Sequence, residues 1–107
     1  MTLEAMLTQL GYADNDSLHV QMQRIIDNTR GYEKISKHIA DLHIALKAHG
    51  GHISLSNSVD NLKIKSESEF EKERKEVRDT INAWSTKYKV ELQKVDKKET
   101  YYILGFK

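Results

Sequence analysis

The chain has 107 residues, 38% of them hydrophobic and 31% charged, with a formal net charge of +1 and no cysteine. That length suits one domain around a modest core, and the small net charge gives no bulk electrostatic pull toward nucleic acid or an anionic membrane. Without cysteine there is no disulfide, no thiolate metal site and no thiol catalysis, and no cofactor is implied.

Residues 1–10 carry Glu4 and no basic stretch, which argues against a signal peptide. No apolar run approaches the roughly 18 residues of a membrane span. A cytoplasmic protein without membrane contact is expected. Proline is absent, so glycines at 11, 31, 50, 51 and 105 punctuate the chain.

Leu3, Met6, Leu7 and Leu10 have helical spacing, with Thr2 as a cap and Gly11 as a stop. Asn15, Asp16 and Ser17 supply N-cap chemistry for a second helix. From there one apolar stripe runs through Leu18, Met22, Ile25, Ile26, Tyr32, Ile35, Ile39, Leu42 and Leu46, ending at Gly50–Gly51. Gly31 interrupts the stripe at a cost of about 1 kcal/mol relative to alanine. A continuous helix over 18–48 would be roughly 45 Å long. A chain of this size is about 35 Å across. The helix therefore either breaks near Gly31 or overhangs and needs a partner.

After the glycine pair the period becomes two. His52-Ile53-Ser54-Leu55-Ser56 and Leu62-Lys63-Ile64-Lys65 alternate across Asn57, Ser58, Asp60 and Asn61, which predicts a hairpin over 52–65. Ser66-Glu67-Ser68-Glu69 fits a capping box and opens a predicted helix over 67–88. Phe70, Val77, Ile81, Trp84 and Tyr88 lie along its apolar side. A second hairpin is predicted over 89–106. Its return strand, Tyr101-Tyr102-Ile103-Leu104, is apolar on both faces and so belongs inside the sheet. The expected fold is a single α+β domain over 1–107. Its first 49 residues are mainly helical (one long helix or one broken near Gly31), and a further helix packs with a small antiparallel sheet of two hairpins.

Four of the five histidines, His38, His43, His49 and His52, fall within fifteen residues. His38 and His43 sit about 140° apart around a helix and cannot share an ion. His49 and His52 flank two glycines and could converge on one, but no HExxH pattern accompanies them, and a structural or incidental role is expected. No serine sits in a G-x-S-x-G context, Gly50–Gly51 matches no phosphate-loop motif, and the carboxylates of 67–76 are interleaved with bases. No catalytic residue, metal ligand or cofactor site emerges.

Nucleic-acid binding is the main rival reading. Residues 87–107 hold six lysines and three acids, and a helix followed by a hairpin bearing Lys94, Lys97 and Lys98 resembles winged DNA binders in element order only. Against it, the acids of the preceding helix offset its bases, and acids repel phosphate. The favoured expectation is a non-enzymatic interaction or regulatory domain acting through an unidentified protein partner. The same reading makes it a homodimer whose interface is the stripe Ile25, Tyr32, Ile35, Ile39, Leu42 and Leu46, since a large uncovered apolar patch is rare on a soluble monomer.

Overall fold

A computed structural model of the chain describes residues 1–107, and its first two helices begin where short polar side chains supply missing acceptors. Helix α1 (Leu3–Gln9) is capped by Thr2, whose Oγ1 accepts from Ala5 N at 3.1 Å. Helix α2 (Asp16–Asn28) is capped by Asn15, whose Oδ1 accepts from Leu18 N at 2.8 Å. Each cap satisfies a backbone donor that the first helical turn leaves free.

The long stripe breaks where glycine permits it. Thr29 turns extended after α2 while its hydroxyl donates back to Ile25 C=O at 2.6 Å. Gly31 takes φ +66°, which costs glycine little, and α3 (Tyr32–Lys47) starts in a new direction. Arg30, between them, runs beside the last strand as an isolated parallel bridge to Gly105. The break sends α2 against α1 and β1 (Gly51–Leu55), and α3 against β1, α4 (Glu71–Tyr88) and β4 (Thr100–Phe106).

The residues of the interface expected from the stripe are placed inside the chain. Ile25, Ile39 and Leu46 are 0% exposed, Ile35 1%, Leu42 2% and Tyr32 4%, all within one cluster of 20 buried residues. The chain covers its own stripe, so the apolar surface on which self-association rested is not available to a second copy. Each large aliphatic side chain so buried contributes about 1.5–3 kcal/mol.

Strands β1 and β2 (Leu62–Ser66) form the first hairpin, β3 (Val90–Lys94) and β4 the second, and the antiparallel sheet order is β1-β2-β4-β3. Strand β4 is central, as its doubly apolar sequence implies. All four helices lie on one face, against Ile53, Leu55, Leu62, Ile64, Val90 and Ile103. Trp84 of α4 closes the core edge and donates its indole N–H to His38 C=O at 3.0 Å.

The start of α4 differs from expectation. The helix begins at Glu71, after Phe70, and the Ser66–Glu69 capping box is not used. Ser66 still belongs to β2 and donates its N–H to Glu99 C=O, while Glu67 N–H goes to Gly50 C=O. Ser68 takes over the local role, accepting from Phe70 N at 3.1 Å and donating to Glu73 at 2.9 Å. Phe70, expected on the apolar side of this helix, is instead 70% exposed.

Candidate functional site

With the helices on one face, the strand pleat turns every second residue to the other. Register places Ser54, Lys63, Tyr102 and Gln93 in one outward row across all four strands. A second row holds His52, Lys65 and Thr100, and Val95 extends it by donating its N–H to Thr100 C=O at 2.8 Å. The chain has 16 acidic residues, yet neither row contains one. A merely solvated face in so mixed a sequence would carry both signs.

Over these rows lies an open concavity of about 650 Å³. Ser56, Asn57 and Ser58 from the β1–β2 connection form one wall, and Lys98 and Glu99 from the β3–β4 turn form another. The Tyr102 hydroxyl lies 3.4 Å from Ser58 Oγ, which lies 3.2 Å from Ser56 Oγ, a short chain of hydroxyls. The Tyr102 phenol is held below its ordinary value, first by hydrogen bonds from Ser58 and Ser56 and then by the charges of Lys63 and Lys98.

Lys63 and Lys98 have no ion-pair partner, whereas Lys65 Nζ lies 3.9 Å from Glu67. The single carboxylate lining the concavity, Glu99, is engaged by Arg78 of α4 at 2.9 Å. Ser66 Oγ and Glu99 Oε2, both on lining residues, find no hydrogen-bond partner in the chain. The result is a cationic, hydroxyl-bearing hollow around one tyrosine ring.

The sheet edges are closed by other means. On the free side of β1, Ile53 N–H donates to His43 Nδ1 at 2.9 Å and Leu55 N–H to the Tyr12 hydroxyl at 3.0 Å. Gln21 Nε2 donates to Ser56 C=O at 3.0 Å. Strand β3, the other edge, is broken by a bulge at Glu91/Leu92, and Glu91 is held by Arg30. Side chains and a bulge of this kind discourage edge-to-edge pairing with another chain.

The residues singled out from sequence are redistributed. The six stripe residues are core. The hairpin lysines divide: Lys98 lines the open concavity, while Lys94 pairs with inward Tyr101 and lies beside Asn82 and Ser85 of α4. Helix α4 with its acids packs beneath the sheet, on the opposite side from Lys63 and Tyr102, so it does not stand between the lysine face and a ligand.

The histidines also scatter. His38 stacks on Tyr88 at 3.8 Å, His19 bonds Asp14, and His49 contacts Glu76 at 2.9 Å. His52 lies 3.9 Å from Glu67. His43 is buried, with its titration pushed down by burial, then by Lys47 and His52. No three His, Asp or Glu side chains converge in metal-binding geometry.

Lys63, Lys65 and Tyr102 were visible in the sequence only as the polar half of an alternating strand and one of two adjacent tyrosines. Their assembly needs the β2–β4 register, a pairing between segments some forty residues apart. No helix is long and apolar enough to cross a membrane. Compared with protein-family models, curated proteins and solved structures, the chain matches none.

Proposed function

We propose that this chain is a non-enzymatic binding domain that holds an anionic partner on the uncovered face of its sheet. One observation carries the reading: two registered rows free of carboxylates, with unpaired Lys63 and Lys98 flanking Tyr102. Donors of this kind converge on oxygens of a phosphate or carboxylate, and charge-assisted hydrogen bonds there are about twice as strong as neutral ones. The binding role expected from the sequence is retained, but its surface moves from the helical stripe to the sheet. No second copy is required, because the stripe is already covered.

An amide-resolved NMR titration with linear inorganic polyphosphate tests the reading. Shifts confined to residues 56–58, 63–65 and 98–102, weakened by salt and by the double variant Lys63→Gln, Lys98→Gln, support it. No shifts, or shifts centred on α1 to α3, overturn it.

A further inference from the structure

We infer that the anionic partner is a single-stranded nucleic acid, with Tyr102 as the stacking surface for one base and Lys63, Lys65 and Lys98 as contacts to the phosphates on either side. This rests on the binding reading above and adds the identity of the ligand.

The geometry has the two parts that such recognition needs, a basic track and an aromatic ring set within it. Tyr102 lies on central strand β4, directly opposite Lys63 of β2, and neighbouring strands are about 4.8 Å apart. Lys65 follows two residues along the same face, roughly 6.6 Å away at ordinary strand rise. Lys98 closes the other side from the turn. The positive charges thus surround the ring instead of forming a patch remote from it.

The other aromatic side chains of β4 are already engaged: Tyr101 is buried, and Phe106, past the bulge, registers with core residue Val90. Phe106 packs against Gly31 and lies under Lys34, whose ammonium is 5.0 Å from the ring centroid. Tyr102 lines the concavity, is partly buried, and bonds Ser58 Oγ through its hydroxyl, so it is the aromatic side chain this face offers a ligand. Ser56, Asn57 and Ser58 add donors and acceptors within the same concavity, the kind of groups that bond the edge of an unpaired base.

A single strand fits better than a duplex. Bases in a duplex are stacked on each other and offer no free face to Tyr102. Nor does a helix or ribbon project from this side of the sheet to enter a groove, since all four helices lie beneath it. An acidic peptide would satisfy the lysines but leave the ring without a planar partner.

The test is fluorescence anisotropy with labelled 12-residue oligouridylate and oligothymidylate, a duplex of equal length and poly-glutamate, at several salt concentrations. The single strands should bind tighter than the duplex or poly-glutamate. Tyr102→Ala should weaken them about fivefold or more, and Tyr102→Phe should not, because stacking needs the ring and not the hydroxyl. Lys63→Gln should lower the slope of log affinity against log salt by about 0.7, which reports a lost phosphate contact even if Tyr102→Ala fails to fold. Equal binding of poly-glutamate, or a Tyr102→Ala variant that folds and binds normally, overturns the nucleic-acid assignment. Polyphosphate shifts on the open face would then leave the binding reading standing, whereas their absence removes both.

Discussion

His43 Nδ1 accepts the backbone N–H of Ile53 at 2.9 Å, so a helix side chain takes the place of a missing strand at the sheet edge. The bond requires neutral imidazole with its proton on Nε2. Burial pushes the His43 titration below the ordinary value, and Lys47 and His52 push it in the same direction. A group whose folded value is depressed contributes stability that is complete above its unfolded value of about 6.5 and is lost as pH falls through the folded value. Urea midpoints measured from pH 8 to 5 should therefore fall more steeply for the native protein than for His43→Leu. The variant should be less stable at pH 8, by about 1–3 kcal/mol, for the donor left unpaired.

Gly105 meets Arg30 at the point where the helical break is stitched to the sheet. A Cβ there would stand 2.6 Å from Arg30 N and O, and φ is +144°. Arg30 N–H donates to Leu104 C=O, Phe106 N–H donates to Arg30 C=O, and Arg30 Nε donates to Phe106 C=O at 2.9 Å. Gly105→Ala should cost about 3 kcal/mol or more, because both conformation and approach are lost. Gly11→Ala meets nothing within 4 Å and should cost only the left-handed conformation, about 1–2 kcal/mol. Equilibrium denaturation of the pair checks the ordering.

Trp84 is 7% exposed, lies edge-on to Tyr88 at 6.3 Å and holds His38 C=O. Trp84→Ala should cost about 3–5 kcal/mol. Trp84→Phe should cost less, since one ring still packs in the site although the fused ring and its N–H donor are lost. Thermal melts of the two variants check the ordering.

Ile39 is 0% exposed in the middle of α3. Ile39→Lys should unfold the chain, because an ammonium in that core has no partner. Were the stripe an interface, the same change would leave a folded monomer. Circular dichroism of the variant, with native denaturation midpoints measured across a wide range of protein concentration, distinguishes the two. A folded Ile39→Lys monomer would restore the interface.

Tyr32 is buried with its hydroxyl unpartnered, and burial, aided by Glu33, pushes that phenol up to about 12. Tyr32→Phe removes a polar atom that gains nothing inside the protein. The variant should be as stable as the native chain or more stable by up to about 1–3 kcal/mol. A loss of stability would mean that the hydroxyl has a partner.

Element order and type were legible in the sequence because they depend on neighbours. Thr2 and Asn15 cap helices, Gly31 permits a turn and period-two alternation marks the hairpins, all within a few residues of the structure each controls. The doubly apolar run 101–104 was enough to place β4 inside the sheet. The stripe from Ile25 to Leu46 was equally plain as an apolar face, but periodicity says that a face must be covered and not what covers it. The site was less legible still. Lys63 and Tyr102 share a row only through the β2–β4 pairing, and Arg30 meets Phe106 across 76 residues of chain. Such contacts come from packing two hairpins and four helices around one core, so the tertiary structure alone decided that the stripe is interior and that the outward face of the sheet is left open.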